Sequence, residues 1–494
     1  MTAYPELERR FRRLSALADA ASMLHWDSAV HMPPAAAPAR AEQLAELQLV
    51  RHEMLTADDV ADLIGAAAEE VGGDPWRGAN VAEMHRLHVH ARAVEPDLVV
   101  ALTKASSACE MIWREARPAN DFAAVRPALA EVVGLVRREA EAKADALGRA
   151  PYDALIDQYE PGARIEHIEA LFDDVAAFLP DLLDRALARQ AAEPAPLPLD
   201  GPFPIPAQRA LGHQLMERLG FEFERGRLDV SLHPFCGGVA DDIRITTRYD
   251  EDDFAPALMG VIHETGHALY EMGLPAEWRR QPVGAARGMA LHESQSLLFE
   301  MQVCRGAEFI AFAAPMMRDA FAAAGPAWRA DNIQRHYTRV ERGLIRVDAD
   351  EVTYPLHVIL RTRLERAIIA GDLAVADLPG AWNEGMAELV GATPDDDRDG
   401  CLQDIHWFAG TFGYFPTYTM GALAAAQLFA AAKQAVPGIP DAIGRGDFAP
   451  LLGWLRANVH AKASSATTDE LLTAATGAPL GAAAFEAHLR ARYL

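Results

Sequence analysis

Apolar residues recur at three- and four-residue steps through the first 190 positions, as in Leu7, Phe11, Leu14, Ala18, Ala21 and Leu24. This period matches the turn of an α-helix, so the N-terminal region reads as long amphipathic helices. Within Trp26–Arg40 the pair Pro33-Pro34 ends one helix and lets another start near Ala36. The strongest interruption is EPAPLPLDGPFPIP, Glu193–Pro206, whose six prolines and Gly201 form an extended connection. A helix over 207–219 follows and should stop at Gly220, a residue suited to the left-handed position past a helix end. The period then changes to two in LDVSLHPF and DDIRITTRY, the only convincing strands. From Phe254 onward it is helical again, with breaks at Gly284, Gly371, Pro394, Gly410–Pro416 and Pro437–Pro440. The expected fold is mainly α, with a small β-sheet or ribbon near 228–248. The chain reads as one domain, 1–494, made of a helical segment over residues 1–192, a connection over 193–206 and a catalytic segment over 207–494.

Composition narrows the function classes. Half the residues are hydrophobic and 24% are charged, a globular balance. With 46 Lys+Arg against 71 Asp+Glu the formal charge is −25, which disfavours a phosphate-tracking surface and hence nucleic acid as a partner. Cys109, Cys236, Cys304 and Cys401 lie far apart, without the pairs that mark disulfide frameworks or thiolate metal sites, as suits the cytoplasm. The N-terminus lacks an apolar signal core. The apolar stretch around Met420–Ala432 contains Gln427 and falls short of the ~20 residues a bilayer needs, so no membrane partner is expected.

The chemistry concentrates in VIHETGHALYEM. On a helix, His263 and His267 lie about 40° apart around the axis and present two imidazoles to one point, as a tetrahedral zinc requires. Glu264 borders the same face, where it can take a proton from metal-activated water without binding the metal. Only three positions are fixed in this pattern, so a further ligand is needed to give it weight. Glu293 in GMALHESQSLLFE lies 26 residues after His267, and PAEWRRQPVGAARG between them has enough Pro and Gly to reverse the chain. Two histidines, one glutamate and an open position make a catalytic rather than a structural zinc site. The same N/O donors accept Co²⁺ or Mn²⁺. His292 points about 100° away from Glu293 and suits a supporting or substrate-facing role. His85, His88 and His90 have no third ligand and read as belonging to a surface helix.

HETGH followed at this distance by HESQS resembles the carboxypeptidase Taq family of metallocarboxypeptidases, peptidase family M32. HPF at His233–Phe235, DIRIT at Asp242–Thr246, IRVDAD at Ile345–Asp350 and GCLQDIHW at Gly400–Trp407 match the same family's signatures. The resemblance runs from LHWD near residue 24 to the C-terminus. It departs at Asp241, where a glycine is expected, and in HAKASSATT near residue 460, which lacks a glycine and an aromatic residue. It implies an elongated helical metallopeptidase, a deep central groove, a β-element beside the HExxH helix, and a homodimer. The implied activity releases C-terminal amino acids from peptides with a free C-terminus.

Each motif also has a chemistry of its own. In DIRIT, Asp242, Arg244 and Thr246 share one strand face, and an edge strand there can hold an extended peptide by main-chain bonds. Arg346, Asp350, Tyr354 and His357 form a polar stripe if their segment is helical, with Pro355 as a possible kink. A substrate's terminal carboxylate needs a fixed cation against the −25 background, and a guanidinium grips it bidentately. Arg346 is the first choice and Arg244 the second, with His233, Asp350 and Gln403 as further substrate-binding residues. Gln403, Asp404 and His406 precede FAGTFGYFPTYTMG, a shaped loop in which His406, Tyr414 and Tyr418 are the available donors to an oxyanion. Two other functions compete: an oligopeptidase or endopeptidase with the same metal chemistry, and a helical binding protein that holds a metal without turnover.

Overall fold

The computed structural model describes residues 2–494 and is mostly helical. The chain forms two compact units, each gathered from three stretches. One combines the residues up to His88 with Ala195–Tyr337 and Ala424–Leu480, and the other combines Val89–Pro194, Thr338–Leu423 and Gly481–Leu494. The Pro-rich connection holds the crossing after Pro194. The crossings after His88 and Leu423 fall inside the continuous helices Pro75–Ala93 and Pro416–Ala435, where no break in the apolar pattern marks them. Among the described residues, no helix is long and apolar enough to cross a membrane.

In the first unit the opening stripe is used as its spacing predicts. Leu7, Phe11 and Leu14 of the helix Ala3–Val30 are buried against Val60, Ile64 and Ala67 of the helix Val60–Glu70, with Val81 and Met84. After a single turn over Pro34–Ala36 the next helix runs Ala37–Thr56. The helix Ile205–Leu219 ends at Gly220 with φ 105°, where a side chain would be strained.

Three short strands follow: β1 (Gly226–Val230), β2 (Phe235–Val239) and β3 (Asp242–Thr247). Their order is β1-β3-β2, with β3 parallel to β1 and antiparallel to β2. Ile243 and Ile245 are buried and pack, with Leu228, Met216 and Phe221, against Val261, Ala268 and Met272 of the helix Ala255–Gly273. The sheet therefore lies beside the HETGH helix, as expected. DIRIT, however, is the central strand and not an edge. Ladders on both sides occupy its main chain, so a peptide cannot add to it as another strand.

Between the HETGH helix and the HESQS helix (Met289–Leu297) the chain makes short turns at Ala276–Trp278 and Pro282–Gly284. The returning helix then packs so closely that a Cβ on Gly266 would lie 2.5 Å from the Gln295 carbonyl oxygen and 2.6 Å from Ser296 Cα. The HESQS helix continues into a π-helical turn, Leu298–Val303.

The second unit is built on the helices Pro96–Ala119, Phe122–Leu147, Ile165–Ala192, Tyr354–Ala370, Leu378–Leu389 and Ala483–Tyr493. Here the expected polar stripe is corrected. Arg346–Asp348 is one short 3₁₀ turn, and the helix begins only at Tyr354. Pro355 sits in its first turn, where a fixed φ and a missing N–H start a helix rather than kink it. Residues 400–415 form an irregular loop with Gly410 at φ 75° and Gly413 at φ 87°. The histidine-rich stretch is likewise not a plain surface helix. His88 is buried with Nδ1 2.7 Å from the Leu55 carbonyl, and His90 Nε2 lies 2.7 Å from Asp157.

Gly266→Ala forces the two helices apart or strains them, and should destabilise the protein by about 1–3 kcal/mol, the usual cost of overpacking. Denaturant unfolding measures this, and metal content measured on the same samples should fall because Glu293 retreats with its helix. Unchanged stability and metal content would show that the close approach is not needed.

Candidate metal centre

The helix Ala255–Gly273 places His263 and His267 one turn apart, with ring centroids separated by 5.0 Å. The HESQS helix brings Glu293 to both. Its Oε1 is 3.8 Å from His263 Nε2 and its Oε2 is 3.4 Å from His267 Nε2. One donor atom from each residue lies within 4.8 Å of the others, and among the described residues this is the group able to hold a metal ion.

The opposite ring nitrogens have partners that the sequence pattern did not reveal. His263 Nδ1 lies 2.9 Å from Glu300 Oε2, and Glu300 Oε1 accepts from Arg305 at 2.6 Å. His267 Nδ1 lies 2.7 Å from His292 Nδ1, whose Nε2 is 2.9 Å from Glu271. Once His263 gives up its extra proton, a proton on each histidine's Nδ1, donated to Glu300 on one side and toward Glu271 through His292 on the other, would leave both Nε2 lone pairs facing Glu293. This donor set fits a divalent metal, and His292 has the supporting place that its helical position suggested. Spacing was the available signal: Glu271 lies one helical turn past His267, and Glu300 two turns past Glu293.

Electrostatics separate the roles. Burial pushes Glu264 up to about 7, with Glu293 adding to the rise and His263 opposing it, so its carboxyl can exchange a proton near neutrality. For His263, burial disfavours the charge, but Glu293, Glu300 and Glu264 outweigh it and raise the imidazole to about 10. His267 moves the other way, to about 4, because burial and the neighbouring His292 and His263 outweigh Glu293. Near pH 7 His263 thus carries a positive charge, while His267 is a neutral imidazole.

The second unit holds a different cluster. Asp404 Oδ1 accepts from Arg346 Nη2 at 2.7 Å and its Oδ2 accepts from Arg361 Nε at 2.6 Å. Two guanidiniums on one carboxylate leave a net charge of +1, deep in the unit. Arg346 also stacks on Tyr418 at 4.9 Å. The Gln403 amide is fully engaged: its oxygen accepts from Arg346 N and Arg361 Nη2, and its nitrogen donates to the Leu344 and Asp399 carbonyls. His406 Nε2 lies 3.2 Å from the Tyr418 hydroxyl, and Tyr414 stands edge-on to Tyr418 with centroids 5.1 Å apart. Burial and the Arg346 charge lower His406 to about 4, so it is a neutral imidazole near pH 7.

The other expected residues are placed elsewhere. Asp350 accepts from the backbone of Glu341, Val352 and Thr353 and from the Thr353 hydroxyl, which makes it the clasp of a turn. Arg244 is held bidentately by Asp242 and lies 4.3 Å over the Trp26 ring. His233 is exposed between β1 and β2, with its carbonyl accepting from Ser231. Asp241, the residue found where glycine was expected, pairs with Arg279 at 2.7 Å.

The family model described as carboxypeptidase Taq (M32) metallopeptidase matches residues 6–493. The chain is 38% identical to "Thermostable carboxypeptidase 1" of Thermus thermophilus, over 99% of this chain and 98% of that protein. It is 32% identical to "Carboxypeptidase 1" of Bacillus subtilis, over 95% and 93%. Among solved structures it superposes on Trypanosoma cruzi metallocarboxypeptidase 1 with a TM-score of 0.97 at 40% identity, covering 99% of each chain. The M32 carboxypeptidase of Deinococcus radiodurans R1 gives 0.93 at 34% identity, covering 100% of this chain and 99% of that one.

Two measurements test the centre. His263 must lose its proton before it can ligate, so apparent metal affinity should fall about tenfold for each pH unit lowered between pH 9 and 6. Chelator competition across that range reads the slope, and a flat profile would contradict the protonation assigned to His263. Glu300→Ala should weaken metal binding by about 10–100-fold without changing the ligands.

Proposed function

The chain belongs to the carboxypeptidase Taq (M32) metallopeptidase family, and on that premise we propose that it is a zinc-dependent carboxypeptidase in which Glu264 is the general base. The observation that carries this reading is the convergence of His263, His267 and Glu293, with both histidine Nε2 atoms turned toward the glutamate. A metal bound there supplies Lewis acidity, polarising the scissile carbonyl and lowering the pKa of water to about 7. Zn²⁺ suits this donor set, and Co²⁺ or Mn²⁺ are alternative occupants.

Glu264, placed near neutrality by its burial, takes the proton of the attacking water and returns it to the leaving amine. Neutral His406, in contact with Tyr418, donates to the oxygen on which negative charge grows, with Tyr414 or Tyr418 as the phenolic donor. Arg346 holds the substrate's C-terminal carboxylate. Its support is the net +1 of the Arg346–Asp404–Arg361 group, which a bound carboxylate neutralises. Gln403 acts by holding Arg346 and Arg361. The substrates are peptides with a free C-terminus, each turnover releases one amino acid, and the whole chain, 1–494, is the catalytic domain. The same reading includes the cytoplasm, which the scattered cysteines suit, and a homodimer, which the family resemblance implies and sedimentation at micromolar concentration checks.

Glu264→Gln should keep one equivalent of metal and lose about 10²–10⁴-fold in kcat, the usual span for a general base. Full activity in the metal-loaded variant would rule out this base. Comparison of a peptide with its C-terminally amidated twin tests the anchor. The wild type should prefer the free acid, and Arg346→Met should erase most of that preference through KM. Equal cleavage of both peptides by the wild type would favour an endopeptidase.

A further inference from the structure

Glu365 is fully buried on the helix Tyr354–Ala370 and takes no role in the chemistry above. Its Oε1 accepts from Trp407 Nε1 at 2.8 Å, and its Oε2 accepts from Gly413 N at 3.0 Å and from the Tyr152 hydroxyl at 2.7 Å. Burial pushes its carboxyl up to about 7, while these three donors pull it back toward the charged form. A buried carboxylate persists only where donors converge on it. Two of the three donors belong to the loop 400–415.

The place of these donors in the loop matters. One turn before Glu365 on the same helix, Arg361 grips Gln403 and Asp404. Glu365 grips Trp407 and Gly413. His406 lies between the two grips, and its own carbonyl accepts from Thr411 N at 2.8 Å. Gly413 closes the loop against the backbone of Leu155 and Ile156, where a Cβ would come within 2.8 Å. That contact belongs to the short helix Pro151–Ile156, which also carries Tyr152. With its oxygens engaged by three donors, Glu365 is suited to holding backbone and indole rather than to exchanging protons with a substrate.

We infer that Glu365 is a positioning residue for the reaction: its grip on Trp407 and Gly413 fixes the loop so that the His406 imidazole points in its working direction. This rests on the proposed role of His406. Glu365→Gln is nearly isosteric but turns an amide N–H toward donors, so one grip is lost and the loop shifts. Binding of the metal involves other residues and should stay at one equivalent.

A double-mutant cycle on the metal-loaded full-length protein tests this, with Glu365→Gln, His406→Ala and the double variant. Glu365→Gln should lower kcat about 10–100-fold with KM within about threefold, and should change kcat less than about threefold once His406 is already alanine. Equal losses in the two backgrounds would reduce Glu365 to a packing residue and overturn the inference, as would wild-type kcat in Glu365→Gln. Unchanged kcat in His406→Ala alone would sink the role of His406, and with it this inference. If Glu365→Gln does not fold, Trp407→Phe removes a single grip and goes through the same cycle under the same criteria.

Discussion

The site depends on how closely one helix can return to another. Glu293 reaches both histidines because the HESQS helix lies against Gly266, where no side chain stands between the backbones. Any Cβ at that point would hold the carboxylate back from the imidazoles. The two neutral residues within HETGH therefore differ in kind: Thr265 can be accommodated as a buried side chain, whereas position 266 has room only for hydrogen.

Burying such a site raises an electrostatic problem, and the surrounding residues answer it. Glu264, Glu293 and Glu300 are brought out of water together, and like charges in a medium of low dielectric repel strongly. His263 lies among all three, and Arg305 neutralises Glu300 from behind. On the other histidine the charge is moved further off, through His292 to Glu271. For Glu264, burial, helped by Glu293 and Glu300, outweighs the pull of His263 and His292, and its carboxyl rises to a pKa useful at neutral pH. The second unit solves the mirror problem, with Asp404 shared between two arginines so that a surplus positive charge survives burial.

Much of this was legible from local spacing. The pair His263/His267, the proposed base Glu264 and the proposed third donor Glu293 all lie on helices whose period is visible in the chain. The two isoleucines of DIRIT correctly announced which strand face is buried. Other features were not legible. That β3 is central depends on β1 pairing with it past the intervening strand β2, and no residue in DIRIT encodes its neighbours. The segment holding Arg346 reads as helix by its four-residue spacing, yet Asp350 uses its carboxylate to fold a turn there. Arg361 and Glu365 carry no signal in the sequence, because a charged pair one turn apart on a helix usually faces solvent. Here both are buried, and both grip the loop that carries His406.

The sequence by itself determined the elements, their apolar faces and the candidate metal donors, since helical and strand periods bring residues a few positions apart onto one face without help from the rest of the chain. Tertiary structure alone decided which nitrogen of each histidine faces Glu293, which carboxylates are buried with which cations, and how the chain is shared between two units. Those outcomes depend on groups far apart in sequence meeting in a low-dielectric interior, where their energies are set by distance and by lost hydration, two quantities that no linear spacing contains.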